Sequence, residues 1–499
     1  MSTAARRPAT PIELTGTAAR WPGAVEVPAA VVEALRAVTT VVDDVAEVAE
    51  HSRDWWPLAL HWSLEGQVPQ RAAVVVRPAA TDEVAATVRV CADHRIPLTT
   101  AGGRSGVCGA AVPVFGGVVL DTTALAGVVA VDATSGLVEV LAGTFGPDLE
   151  RELQEAHGLS VGHFPQSFDI ATVGGWVACR GAGQYSTRYG KIEDLTAGLE
   201  VVLADGTVLR TGGDPAAAAG PDLTQLFVGA EGTLGVVTRV WLRAHPVPPT
   251  EQRAAWTFGS FADGIEACRQ VLRRGATPAV LRLYDPVESA RSHGGDGTAC
   301  VLLVLDEGDA AIVDATMGLV ADACRAVGAA PADPELVANW LAHRNDTSAL
   351  QALTRKGYVV DTMEIAAPWS RLAAIHEDVR AALTRVPHAL VASCHLSHSY
   401  PDGACLYFTF AAAPPPEEVE STYIALWDAG QRAVLDGGGN LSHHHGVGIN
   451  RSRFMTAAVG EAGVGVLAAL KQALDPHGIL NPGKLGLPSP FGPPPWPAR

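Results

Sequence analysis

From about residue 70 the hydrophobic positions fall in short bursts, and their period switches repeatedly between that of a strand and that of a helix. Residues 73–76 predict a short buried strand stopped by Arg77-Pro78. Thr81 is placed to cap a helix whose Val84, Val88, Cys91 and Ala92 recur at helical spacing. Residues 97–100 predict a second strand that runs directly into Ala101-Gly102-Gly103-Arg104-Ser105-Gly106. Strands follow at 117–120, 128–131 and 138–141, then a helix over 147–157 with Gly158 at its C-cap. Residues 200–203 and 208–210 flank Asp205-Gly206, a hairpin signal. Val236, Thr238, Val240 and Leu242 lie on one face of a strand that begins at Gly235.

Pro246-Val247-Pro248-Pro249 breaks this pattern and predicts a domain boundary. Beyond it the alternation resumes, with helices over 261–274, 310–327 and 369–383 and strands over 279–284, 300–305 and 404–410. A last helix, 464–474, stops at Asp475-Pro476. The expected organisation is a polar lead-in over 1–70 with one helix near 31–38, a cofactor-binding domain over 71–246 and a cap or substrate domain over 247–430. A segment over 431–487 closes the site, and an irregular Pro-rich tail covers 488–499.

Composition narrows the classes. At 499 residues the chain is long enough for two or three domains without disulfides or structural metals. A formal charge of -17 argues against a nucleic-acid or anionic-membrane partner, which needs a basic footprint. The eight cysteines are scattered and form no Cys-x-x-Cys pair, as in a reducing compartment. Met1 to Pro8 carries charge but no apolar core follows, and no run reads as long and apolar enough to span a membrane, so a cytoplasmic protein is expected.

Three segments carry chemistry. In Thr99 to Gly109, glycines let backbone N–H groups converge on a pyrophosphate, although an ordinary turn has the same composition. This is neither the G-x-G-x-x-G of a nicotinamide-binding unit nor a phosphate-binding loop with its lysine. The second segment, Gln166 to Trp176, sets hydroxyl residues ahead of Gly174-Gly175. The third runs from Glu231 through Gly232 and Thr233 to Thr238.

In this order and spacing the segments resemble the FAD-binding half of the vanillyl-alcohol-oxidase superfamily, and within it the alkyldihydroxyacetone-phosphate synthases. Further matching pieces are Tyr189-Gly190-Lys191-Ile192-Glu193-Asp194-Leu195, Arg282-Leu283, Gly403 to Phe408 and Ser442-His443-His444-His445-Gly446-Val447-Gly448. The resemblance implies an α+β fold, with a two-part FAD-binding domain of the p-cresol-methylhydroxylase (PCMH) type followed by an α/β cap. It implies that Ala101, Gly102, Gly103, Arg104 and Ser105 hold the FAD pyrophosphate. Gln166, Ser167, Thr172, Gly174, Gly175, Ala178, Arg180, Glu231, Gly232, Thr233 and Val237 would line the rest of the cofactor. Arg104 stands where many members carry a tethering histidine, which implies non-covalent FAD there.

On the substrate side the resemblance implies Tyr407 as acid/base, Arg282 as an anion partner and His443, His444 and His445 as an active-site loop. His163, before Phe164-Pro165, is a further candidate beside the flavin. Three adjacent histidines on a regular element cannot all face one metal. His395 and His398 are spaced either to share a helix face or to lie on opposite strand faces. Related 2-hydroxy-acid dehydrogenases carry a metal-binding His-x-Gly-Asp-Gly-Asn near this point, and its absence predicts no metal. The synthases bind substrate phosphate through an arginine upstream of Ala367-Pro368-Trp369; Leu350 falls at that position here, with Arg355 as the nearby substitute.

Two reactions follow as expectations. One is oxidation, with a hydride passing from a hydroxylated carbon, of a 2-hydroxy acid or an alcohol, to flavin N5. The other is exchange of an acyl for an alkoxy group through a flavin N5 adduct, as in the synthases. A non-catalytic flavin-binding protein is the third reading, and it leaves the Tyr, Arg and His set unexplained. A small-molecule substrate is the expected partner, and a homodimer is compatible with everything read.

Overall fold

The computed structural model describes residues 11–497, residue 347 apart; residues 1–8, read above as a charged lead, and the end of the Pro-rich tail, 498–499, lie outside the described residues.

The lead-in is more ordered than its composition predicts. Three helices, α1 (Ala29–Arg36), α2 (Val45–His51) and α3 (Pro57–Leu64), occupy it where one was expected. Asp44 caps α2 by accepting from the Glu47 N–H, and Pro57 opens α3 with its fixed φ. Helix α3 escaped the pattern because it is buried on nearly every side, with Leu58, Ala59, Leu60 and Trp62 all in the core, so no polar face marks its period.

Strand β1 (Thr40–Val42) pairs antiparallel with β2 (Val74–Arg77). Strands β3 (Leu98–Ala101) and β4 (Val118–Asp121) run parallel to it, in the order β1-β2-β4-β3. Helix α4 (Thr81–His94) covers this sheet with Val84, Val88 and Cys91, as its spacing predicts. Thr81 does not cap it: Ala80 is the N-cap, and the Thr81 hydroxyl donates instead to the buried Glu200 carboxylate at 2.8 Å.

A second, antiparallel sheet has the order β8-β7-β9-β6-β5, from β5 (Val128–Asp132), β6 (Leu137–Leu141), β7 (Thr196–Val202), β8 (Val208–Gly212) and β9 (Val236–Arg243). Helix α5 (Gly146–His157) ends on Gly158 with φ 62°, the left-handed turn that glycine takes without strain. Helix α6 (Val173–Cys179) packs Trp176 and Val177 against this sheet's core.

The second half of the chain folds around seven antiparallel strands. They are β10 (Thr250–Phe258), β11 (Val280–Tyr284), β12 (Cys300–Gly308), β13 (Ala330–Ala332), β14 (Val359–Pro368), β15 (Ala389–Ser399) and β16 (Gly403–Ala412). Their order is β13-β10-β12-β11-β15-β16-β14. One face packs against α7 (Phe261–Arg273), α9 (Ala310–Ala326), α11 (Trp369–Thr384) and α12 (Val419–Asp436). Strand side chains alternate between faces, so Leu281, Leu283, Leu396, Leu406 and Phe408 enter that core. Arg282, His395 and Tyr407 therefore face the other way, toward the cofactor half.

The last helix, α13 (Met455–Leu474), begins well before the predicted 464 and passes through a non-helical Gly460. Against expectation, Ser452–Leu474 is long and apolar enough to cross a membrane by length and composition. Here the helix lies on the protein, tied down by Lys471, whose buried ammonium donates to Asp475 and to the Thr233 and Leu480 carbonyls at 2.6–2.7 Å.

The lead-in packs on residues late in the chain. Trp56 lies against Trp496 with ring centroids 4.8 Å apart and donates its indole N–H to Tyr423 at 2.9 Å. Arg20 bonds Glu420 at 2.7 Å.

Candidate active site

A cavity separates the seven-stranded sheet from the glycine segments of the first half. Its cofactor wall is mostly backbone. Strand β3 delivers Ala101, and the following Gly102 and Gly103 pass so close to the 170–172 segment that a Cβ on either would overlap Thr172 or the Ile170 carbonyl. Thr172 caps α6 through its hydroxyl, which fixes the Gly174-Gly175 approach. Arg104 takes φ 55° and folds back from the turn, donating to the Glu50 and Arg53 carbonyls, the latter at 3.4 Å, and pairing with Glu50 at 3.4 Å. Its Nε, Thr100 Oγ1 and Trp176 Nε1 are buried on this wall with no partner among the described residues. Each unmatched polar atom costs on the order of 1–3 kcal/mol, so the wall is built for a polar ligand. With its glycine cradle it fits a dinucleotide such as FAD.

Of the sequence-predicted cofactor residues, Ala101 to Ser105, Gln166, Ser167, Thr172, Gly174, Gly175, Ala178, Glu231, Gly232 and Val237 line the cavity. Two do not. Arg180 is the left-handed C-cap of α6 and turns outward to Glu193 at 3.1 Å, and Thr233 turns its hydroxyl back onto the Ala230 carbonyl. Both border a neighbouring cavity, which shares Cys179 and Glu231 with the first. His163 is buried against Trp176, with centroids 4.7 Å apart and neither ring nitrogen bonded; burial, with Lys191 nearby, lowers its pKa to about 3.

The opposite wall is side chains. Register sets His395 opposite both Tyr284 and Tyr407, and Tyr407 opposite Glu364. His395 stacks on Tyr407 with centroids 4.7 Å apart and 15° between planes. A bulge between Ser397 and Ser399, with His398 at φ 51°, resets the alternation, so His395 and His398 line the same cavity rather than opposite faces. Arg282 donates to the Tyr284 hydroxyl at 2.8 Å and lies over the Tyr284 and Trp340 rings. Among the described residues no carboxylate forms an ion pair with it. The Tyr407 hydroxyl donates to Thr362 at 3.0 Å; burial raises its pKa.

Glu364 organises the histidine loop. Fully buried, it takes both arms of Arg451, the Ser442 hydroxyl at 2.6 Å and the N–H groups of His443, His444 and His445 at 2.8–3.2 Å. Burial works against its charge, but Arg451 and His445 more than offset that and hold its pKa well below the carboxylate range. His444 and His445 then face the cavity, whereas His443 turns away, accepting or donating at Tyr400 (2.7 Å) and His444 (2.8 Å). The loop also brings His398, His443 and His444 together, with one nitrogen of each within 4.8 Å of the others. Burial, first of several causes, keeps all three well below their usual pKa, so they are neutral.

Leu350, from α10 (Ser348–Arg355), lines the cavity, while Arg355 is held at the surface by Glu13 at 2.7–3.0 Å. Residues not foreseen from the sequence are Glu364, Arg451, Glu288, and Asp54, Trp55 and Leu60 of the lead-in, which also line the cavity. The Trp55-Trp56 pair was the one available signal, since large aromatics rarely crowd an irregular segment.

Comparison with known proteins agrees with this division. The model of an FAD-binding domain matches residues 72–212, and that of the C-terminal domain of FAD-linked oxidases matches 247–485. An uncharacterised FAD-linked oxidoreductase of Escherichia coli K12, YgcU, is 32% identical over 433 residues, covering 83% of this chain and 88% of that one. The alkyldihydroxyacetonephosphate synthase of Dictyostelium discoideum is 29% identical, covering 84% of this chain and 74% of its own. A solved alkyldihydroxyacetonephosphate synthase structure superposes with a TM-score of 0.76 at 24% identity, over 94% of this chain and 88% of that one.

Proposed function

The chain belongs to the FAD-linked oxidase family, and on that premise we propose that it oxidises the hydroxyl-bearing carbon of a small anionic compound, a 2-hydroxy acid or a related alcohol. FAD, when bound, supplies the two-electron acceptor. Ala101 to Ser105, Thr172 to Gly175 and Gly232 would hold it from the backbone side, and Thr100, Arg104 and Trp176 would offer their unpartnered atoms.

The observation that carries the reading is Arg282, a cavity cation without a carboxylate partner, set beside His395, Tyr407, His444 and His445. A guanidinium in that state matches a substrate carboxylate, and the neighbouring imidazoles are placed to take the hydroxyl proton. Leu60, Leu350 and Val360 make the adjoining wall apolar.

The likeness to the synthases keeps acyl-for-alkoxy exchange as a second reading, supported by the retained Tyr407, Arg282 and histidine loop. Leu350 in the wall and Arg355 tied to Glu13 count against it, because neither offers a phosphate clamp. Anaerobic flavin absorbance decides. Lasting bleaching by a 2-hydroxy acid or alcohol is expected. A change seen only with acyl-dihydroxyacetone phosphate, and reversed by a long-chain alcohol, would replace the reading with the exchange reaction.

A further inference from the structure

We infer that the proton acceptor of this site is His395, held by Glu288, rather than the histidine loop or Tyr407; the inference rests on the oxidoreductase reading.

His395 Nδ1 lies 2.9 Å from Glu288 Oε1, and the other Glu288 oxygen accepts the Ser393 hydroxyl at 3.2 Å. Glu288 comes from α8 (Pro286–His293), whose N-cap Asp285 accepts from the Glu288 N–H and so fixes where the carboxylate points. The carboxylate is ionised, because burial is outweighed by His395 and Arg291. It therefore holds the proton on Nδ1 and leaves Nε2 as a lone-pair acceptor. That Nε2 is buried with no partner among the described residues, on a residue that lines the cavity.

The other groups of the wall lack this arrangement. Tyr407 already donates its proton to Thr362. His444 and His398 pair Nδ1 with His443 and, at 2.7 Å, with Ser186 rather than with a carboxylate, so no anion fixes the proton there. His445 Nδ1 is 3.0 Å from Glu364 Oε2, but Glu364 is already taken up by Arg451, a hydroxyl and three N–H groups.

The charged and titratable neighbours of His395 are Glu288, Arg291 and His293 on α8, Arg282 and Tyr284 on β11, His398 on its own strand and Tyr407 on β16. Burial and then Arg282 push its pKa down to about 4, against Glu288, which raises it. A carboxylate seated on Arg282 neutralises that cation. His395 thus gains proton affinity only when substrate is bound. In the step, the substrate O–H bond breaks and its proton moves to Nε2, with the new positive charge facing Glu288. The C–H hydrogen leaves with two electrons to FAD, and the carbonyl forms. The proton returns to solvent after product leaves.

The test uses the holoenzyme and a panel of D- and L-2-hydroxy acids in anaerobic single-turnover bleaching. His395→Asn and Glu288→Gln are expected to slow bleaching by about 10²–10⁴-fold, the usual worth of a general base. Glu288→Gln should also move the acid limb of the rate to lower pH, and Glu288→Asp should restore much of both. A readout free of turnover is hydrogen exchange at the imidazole C2 carbon, followed residue by residue by mass spectrometry. Oxalate, which offers carboxylates but no C–H to oxidise, should raise the His395 midpoint in the wild type and not in Arg282→Met. Unshifted rates and pH profile in His395→Asn, with bleaching lost in His445→Asn, would return the role to the loop and leave the oxidoreductase reading standing. A His395 midpoint indifferent to oxalate would overturn the coupling to Arg282. Bleaching by no hydroxylated compound would remove both readings.

Discussion

The two walls of the cavity are built by opposite means. The cofactor wall presents backbone, and its tolerance is set by what cannot be added, since Gly102 and Gly103 have no room for a Cβ. The reactive wall presents side chains on adjacent strands, each held from behind: His395 by Glu288, the histidine loop by Glu364, and Arg282 by two aromatic rings. Damage to the first wall should show as lost cofactor, and damage to the second as lost chemistry or lost stability with cofactor retained.

Glu364→Gln should be the severest change. It leaves Arg451 buried without its partner and removes the acceptor of the histidine loop, at a cost of about 3–5 kcal/mol, read as a lowered unfolding midpoint in urea. The same pair sets an acid limb. Because the folded Glu364 pKa is depressed, its contribution is complete above the unfolded carboxylate value of about 4.3 and is lost as pH falls toward the folded one. Wild type should lose this stability on acidification, and Glu364→Gln should lack that part of the slope.

Gly103→Ala, on the other wall, should cost about 1–3 kcal/mol through overpacking on Ile170, most of it felt by the cofactor cradle. The flavin-to-protein absorbance ratio after purification should fall while the circular dichroism stays native. A full flavin complement would erase the contrast between the walls.

Arg282→Met should keep FAD and weaken substrate by about 10–100-fold, the loss of a hydrogen-bonded charge contact of about 1.5–3 kcal/mol. The concentration dependence of bleaching measures it, and an unchanged half-saturation would move the anion site elsewhere. Smallest of all, Arg355→Ala should leave turnover unchanged, because its guanidinium serves Glu13 at the surface. A marked loss of activity there would reopen the phosphate-clamp reading.

The same contrast explains what was legible in the sequence. Ala101 to Ser105 and Thr172 to Gly175 are contiguous, so their composition announced them. Arg282, Tyr407 and the histidine loop were reached only through resemblance, because they come from separate stretches of chain that meet only when strands distant in sequence pair, as Tyr284 does with His395. Glu288 and Glu364 carry no local mark at all: a carboxylate in an alternating strand or a helix's first turn reads as surface until the partner is seen. The bulge at His398 decided a question that spacing left open. The lead-in was misjudged because a helix buried all round has no polar face to betray it.

The meeting of Trp56 with Trp496 bears on the order of events during synthesis. Domains usually fold as their chain emerges, first half first. Here Trp56 is completed by Tyr423 and Trp496, and Asp54, Trp55 and Leu60 of the cavity wall flank it in the lead-in. Contacts so distant in sequence form slowly. The packing around Trp56 is therefore completed only once the residues near Tyr423 and Trp496 have been made and have folded back onto it.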